Sequence, residues 1–256
     1  MYQPPYTLTD EIVALVAQIS QQLGELQIAS PSPSNLHLRR ENIVTAVHSS
    51  LAIEGNPLTL AQAQTLLAQD GPLATQASER ELQNALAAYE ILSTLDAYQE
   101  TDLRRLHQIM TTDLLADAGR YRDHGEGVYR GQQLIFMAPP AKLVPSLMND
   151  LFSWLAQTRT QVHSLIASSV FHYEFVFIHP FSDGNGRVAR AWQSLMLMHW
   201  QPFFATLPIE SIIKEHQNEY YTVINQCNQR GDSSDFVALM LRLIQLSIAK
   251  HLDQIH

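Results

Sequence analysis

The sequence predicts an all-α protein carrying one small β-hairpin, and three observations lead there. Apolar residues recur at helical spacing through most of the chain, the segments so patterned begin and end on helix punctuation, and a single glycine-bearing stretch, Gly119 to Pro140, breaks the pattern with alternation. No heptad run, internal repeat or low-complexity tract competes with that reading.

In chain order, a proline-containing arm leads to Thr9-Asp10-Glu11, which opens a helix with Ile12, Leu15, Val16, Ile19 and Leu23 on one stripe. Ser30 to Asn35, with Pro31 and Pro33, reads as a turn. A second helix is expected over Arg39 to Glu54, with Ile43, Val47 and Leu51 on one face and Gly55 where glycine commonly ends a helix. Thr59 caps a third through Leu67, Ser78 begins a long fourth carrying Leu82, Leu86, Tyr89 and Leu92, and Asp102 to Leu115 forms a fifth. Val128 to Arg130 and Leu134 to Met137 then read as a hairpin or flap, ended by Pro139-Pro140. Leu143 to Gln157 returns to helix with Leu147, Leu151, Trp154 and Leu155 inward. Helical patterns follow over Ser164 to Ile178, Val188 to Trp200, about Ile209 to Cys227 and Ser234 to Leu252. One continuous body is expected, divided into an N-terminal helical region at 1–96, a central part at 97–200 and C-terminal helices at 201–256.

Composition narrows the function. An apolar fraction of 46% supplies a core, and a net charge of −9 repels phosphate backbones, so no nucleic-acid partner is expected. Arg39-Arg40 and Arg104-Arg105 are isolated pairs, and no winged helix is expected after the last helix. The single Cys227 can form no internal disulfide, no secretory leader pattern opens the chain, and no uncharged apolar run reaches the roughly 18 residues of a membrane span. A soluble cytoplasmic protein without a membrane partner is the expectation.

The chemistry concentrates in His179 to Arg190, HPFSDGNGRVAR, which the flanking patterns place as a loop between two buried helices. Gly184 and Gly186 flank Asn185 where a helix begins, so backbone N–H groups and the positive end of the dipole can meet an anion there. Arg187 and Arg190, three apart on one face, can take further phosphate oxygens. Asp183 is a hard oxygen ligand suited to Mg²⁺ beside a polyphosphate, and His179 is a base that works near neutral pH. Together they imply attack by a hydroxyl or water on phosphorus; the Lys-Ser/Thr of a P-loop is absent.

This stretch resembles the full signature of the Fic family, HxFx(D/E)GNGRxxR, without a departure at a defining position. Leu106-His107, Gly119-Arg120-Tyr121-Arg122, Pro139-Pro140 and Leu147-Met148 to Trp154-Leu155 resemble the stretch that precedes it in that family, and the likeness runs from about Ile43 to Ile244. The resemblance implies a Fic-type helical bundle with a β-hairpin flap, its core at 97–200. It also implies transfer of AMP from ATP to a Ser, Thr or Tyr hydroxyl of a target protein, with pyrophosphate leaving. By that match His179 is the general base, Asp183 the ligand of Mg²⁺ or Mn²⁺, Gly184, Asn185 and Gly186 the anion cradle, and Arg187 and Arg190 the holders of the outer phosphates. The flap, with Val128, Tyr129, Arg130 and Gly131, is where the target adds as a strand, and Tyr220, Tyr221 and Asn228 fall at the nucleoside pocket. Self-modification and a homodimer stay open.

One further pattern lies upstream. Ser50 to Gly55, SLAIEG, resembles the inhibitory motif (S/T)xxxE(G/N) of that family. At a helix end Glu54 faces the negative pole of the dipole, a cost an opposing cation would relieve. The resemblance supplies that cation as Arg190 and implies an enzyme slow in isolation, with the expected inhibitory helix at about 39–54. Removal of AMP from a modified protein using Glu54, and a non-catalytic ATP-binding interaction module, remain as alternatives.

Overall fold

Helix punctuation sets most of the boundaries in the computed structural model, which describes residues 2–29, 36–68, 76–130 and 133–255. Thr9 Oγ1 accepts from the Ile12 N–H and starts α1, Asp10–Ala29. Next come α2 (Leu36–Ile53), α3 (Leu60–Ala68), α4 (Ala77–Ile91) and α5 (Glu100–Thr111). Thr59 caps α3 reciprocally with Gln62: Oγ1 accepts from the Gln62 N–H at 3.2 Å, and the Gln62 side chain accepts from the Thr59 N–H at 2.8 Å.

The all-α expectation holds, with a hairpin of β1 (Gly127–Arg130) and β2 (Gln133–Met137) as the one sheet among the described residues. Val128 pairs with Phe136 and Tyr129 with Leu134, so a bulge separates Val128 from Tyr129. Beyond it lie α6 (Val144–Thr158), α7 (Ser164–Ile178), α8 (Asn185–Trp200), α9 (Ile209–Glu215), α10 (Gln217–Arg230) and α11 (Ser234–Ile255).

Several boundaries differ from the pattern. Helix α2 starts at Leu36, before Arg39, and α5 stops at Thr111 because Asp113 turns left-handed at φ 60°. At α4 the Glu79 carboxylate accepts from the Gln76 N–H, so the helix opens one residue before Ser78. The predicted helix from Ile209 to Cys227 is two helices, broken at His216 (φ −104°, ψ 22°), and α10 then runs on to Arg230, where Gly231 at φ 66° ends it. The expected turn at 30–35 lies outside the described residues.

Helix α7 is apolar nearly all round and lies at the centre of the bundle, packed by α6, α8 and α11. Helix α1 runs along α11 and α2 along α9, so N-terminal and C-terminal helices share one continuous apolar core. That core fixes the end of α7 and the start of α8, the two points from which the HPFSDGNGRVAR loop hangs.

Candidate functional site

The loop is built on two unusual backbone positions. His179 ends α7 in the left-handed region (φ 51°, ψ 59°), which costs a non-glycine residue about 1–2 kcal/mol. Gly184 at φ 80° opens α8. Arg122, 3% exposed, secures the first: its Nε donates to His179 O (2.7 Å), and Nη2 donates to Ile178 O (3.3 Å) and Pro139 O (2.6 Å). One guanidinium thus satisfies the orphan carbonyls at the end of α7 and fastens them to the base of the hairpin. The GRYR stretch marked this region in the sequence, but nothing there assigned Arg122 this task.

Inside the loop, Asn185 points inward. Its Oδ1 accepts from Phe181 N–H at 3.0 Å and its Nδ2 donates to Phe181 O at 2.8 Å, so the side chain staples the loop rather than facing a ligand. His107 supports the loop from below, stacked on Phe181 with centroids 3.7 Å apart. Its Nδ1 accepts from Gly119 N–H, which places the proton on Nε2 and directs it to Asp183 O at 3.0 Å. Burial lowers the His107 pKa to about 4, so this second imidazole beside the loop is neutral and structural.

His179 is half-buried, with Nδ1 3.2 Å from Val176 O. A carbonyl only accepts, so Nδ1 carries the proton and Nε2 keeps a lone pair. Burial lowers the His179 pKa below 6.5, with the Val176 carbonyl opposing, and the ring is a neutral acceptor at pH 7. Asp183, its side chain 64% exposed, accepts from Gly184 N–H at 2.6 Å and from Arg187 Nη2 at 3.0 Å. Among the described residues no group of three or more His, Cys, Asp or Glu is arranged to enclose a metal ion.

Both arginines are held by carboxylates. Arg190, 2% exposed, donates through Nε to Ser50 Oγ (2.9 Å) and through Nη2 to Ser50 O (3.0 Å) and Glu54 Oε1 (2.7 Å). The Glu54 carboxylate also lies against Gly186, the second residue of α8, where a side-chain carbon would run into it. Glu54 therefore leaves the negative end of α2 for the positive end of α8. Arg187 pairs with Asp183 and with Glu81 at 3.3 Å, a carboxylate that no motif places here.

The expected nucleoside residues divide. Tyr220 is a core side chain, 1% exposed, and its hydroxyl donates to the buried His172 Nε2 at 2.8 Å. Tyr221 is 41% exposed, with Glu54 close enough to raise its pKa further after burial. Asn228 Oδ1 accepts from Tyr173 OH at 2.9 Å, tying α10 to α7. Val128, Tyr129 and Arg130 lie on β1, Gly131 falls outside the described residues, and Phe136 on β2 meets Phe177 on α7 with centroids 5.1 Å apart.

Fold and loop together define a helical-bundle protein whose anion-receptive helix N-terminus sits between two core helices, beside a small hairpin. Residues 95–197 match the Fic/DOC family. The chain is 42% identical to a Fic family protein from Desulfovibrio desulfuricans, covering 99% of this chain and 77% of that one with a TM-score of 0.93. Fic-1 from Caenorhabditis elegans superposes with a TM-score of 0.74 at 22% identity over 94% of this chain and 73% of that one, a likeness of fold. This chain belongs to the Fic family. It is also 28% identical over 221 residues to the protein adenylyltransferase Fic of Aedes aegypti, and 28% over 218 residues to that of Nematostella vectensis. The matches cover 82% and 80% of this chain but 42% and 48% of those relatives, so the chain spans less than half their length.

Proposed function

We propose that this protein is an adenylyltransferase that moves AMP from ATP to a hydroxyl side chain of a protein, and that Glu54 restrains it. The observation that carries the reading is the placement of a neutral His179, its Nε2 lone pair free, on the same short loop as the N-terminus of α8. In the proposed step the substrate hydroxyl oxygen attacks the α-phosphorus, Nε2 of His179 takes its proton, and the bond to the bridging oxygen breaks to release pyrophosphate. The relatives named protein adenylyltransferase support the choice of reaction.

The first N–H groups of α8 have no partner within the helix and suit the phosphates. Asp183 fits a divalent ion shared with the nucleotide, because one exposed carboxylate plus substrate oxygens is the arrangement Mg²⁺ tolerates best. Such an ion would neutralise charge on the phosphates. Arg190 would meet the outermost phosphate, but Glu54 holds its Nη2 and covers Gly186. A nucleotide that enters with Glu54 in place loses the contact that aligns its α-phosphate for in-line attack.

The hairpin supports a target bound as an added strand along β1 or β2, and the exposed ring of Tyr221 is the remaining candidate for the nucleoside. The experiment is transfer of label from the α-phosphate of ATP to protein, followed by intact mass. Glu54→Gly is expected to raise transfer and His179→Ala to lower it by at least about 100-fold. Absence of any gain with Glu54→Gly in both Mg²⁺ and Mn²⁺ would remove the restraint from this reading, and absence of label in every variant would remove the transfer itself.

A further inference from the structure

The two motif arginines are held by separate carboxylates from the N-terminal helices, Glu54 on Arg190 and Glu81 on Arg187. The two are joined through Asn56. Glu81 Oε1 lies 3.3 Å from Arg187 Nη1, while its Oε2 accepts from Asn56 Nδ2 at 2.7 Å. Asn56 closes the turn that carries Glu54: its N–H donates to Leu51 O (3.1 Å), its Oδ1 accepts from Leu58 N–H (3.1 Å), and Nδ2 also donates to Ser78 O (3.1 Å). Each oxygen of one carboxylate therefore serves a different part of the site.

We infer that Glu81 is a positioning residue that sets the Glu54 turn and the Arg187 side chain together, an inference that rests on the proposed transfer reaction and its restraint by Glu54. Without Glu81, the Asn56 Nδ2 keeps only the Ser78 carbonyl, and the turn that delivers Glu54 to Arg190 loses the carboxylate that anchors this amide. Arg187 depends on the same residue from the other side. Its Nε is buried without a hydrogen-bond partner, and Asp183, the other carboxylate on it, is the residue that would turn to a metal ion when nucleotide binds. Glu81 is then the hold that keeps a long, rotamer-rich side chain in one orientation. Arg187 restrained in this way meets the phosphates already aligned.

The test measures AMP transfer, KM for ATP and backbone amide exchange at 54–58 for Asn56→Ala and Glu81→Ala, each with and without Glu54→Gly. With Glu54 present, both variants are expected to speed exchange in the turn and raise transfer roughly 10-fold, the scale of one hydrogen bond to a charged group. The gain from Asn56→Ala should vanish when combined with Glu54→Gly, because both act on one restraint. In the Glu54→Gly background, Glu81→Ala should raise KM for ATP several-fold with kcat nearly held. Glu81→Gln, which keeps an acceptor for Asn56 but no charge for Arg187, should retain slow exchange and still raise KM. Should Glu54→Gly raise transfer while Asn56→Ala and Glu81→Ala leave exchange and transfer as in the parent, the inference is wrong and the proposed function stands. If Glu54→Gly raises nothing, the restraint by Glu54 fails, and the exchange rates alone decide whether Glu81 holds the turn: unchanged exchange in both variants overturns the inference, and faster exchange upholds Glu81 as the residue that sets the turn.

Discussion

At Gly186 the space a methyl group would occupy is taken by Glu54 Oε1, with Arg190 Nη1 only 3.1 Å away. Gly186→Ala should therefore cost about 1–3 kcal/mol of stability by overpacking, and Glu54→Gly should recover most of it by emptying the space. Urea midpoints of the two single variants and the double variant check this; equal losses with and without Glu54 would show that the carboxylate is not what the methyl meets. His179 yields a second expectation. Burial lowers its pKa below 6.5, and the proposed reaction needs its neutral form, so activity is expected to be retained as pH falls until that lowered value is crossed. In the Glu54→Gly background the acid limb of kcat/KM against pH should have its midpoint below 6.5, and a midpoint above it would assign the limb to another group. At this scale the sequence was most informative where chemistry is local. Twelve adjacent residues declared a base, a carboxylate and two guanidiniums, and SLAIEG declared the partner of Arg190. Glu81, Arg122 and His107 carried no such signal, since the loop residues they hold, Arg187, His179 and Asp183, lie 57 to 106 residues away and only packing brings them together.

The element that organises the site is the α7–loop–α8 elbow, and Asn185 is its staple. Asn185→Ala would leave Phe181 N–H and Phe181 O buried without their partners, at about 1–3 kcal/mol for each group left unpaired. The expected result is a lower denaturation midpoint together with a large loss of transfer, because His179, Asp183 and Gly184 all sit on the backbone that Asn185 holds. A variant as stable as its parent would show that water replaces the amide. Helices with strong periodicity and a cap were legible for the same reason that they form: α3 with Thr59 and Gln62, and α1 with Thr9, state their own limits. The break between α9 and α10 was not, because His216 is neither glycine nor proline and the apolar period continues through it. Nor did propensity foresee that Tyr220 turns its hydroxyl to His172, a choice made by the packing of α10 on the core.

Across the whole molecule, the arm before α1 closes the bundle over a buried acid on the central helix. Pro5 O accepts from Ser233 N–H (2.8 Å), Thr7 N–H donates to Ser234 Oγ (2.8 Å), and Tyr2 OH donates to Glu174 Oε2 (2.6 Å), while Glu174 Oε1 is buried without a partner. Burial raises the Glu174 pKa from 4.5 to about 7, with the Tyr2 bond opposing. The folded state therefore holds this proton more tightly than the unfolded one. Its contribution to stability is full below 4.5 and is lost as pH rises through about 7, a swing of about 3 kcal/mol if no other group responded. His107 and His172, with pKa values lowered by burial to about 4 and about 3, act in the opposite sense: their unfolded forms protonate first, so stability falls as pH drops below 6.5. The fold is thus pressed from both sides, with Glu174 and the buried Glu210, whose pKa burial also raises, acting on the alkaline side. Glu174→Gln should reduce the loss between pH 5.5 and pH 8 and leave the acid-side loss in place, as read from urea midpoints at pH 4.5, 5.5 and 8. A parent and variant with parallel curves above pH 5.5 would mean that Glu174 is already ionised in the fold, and the Tyr2 bond would then be the stronger influence on it.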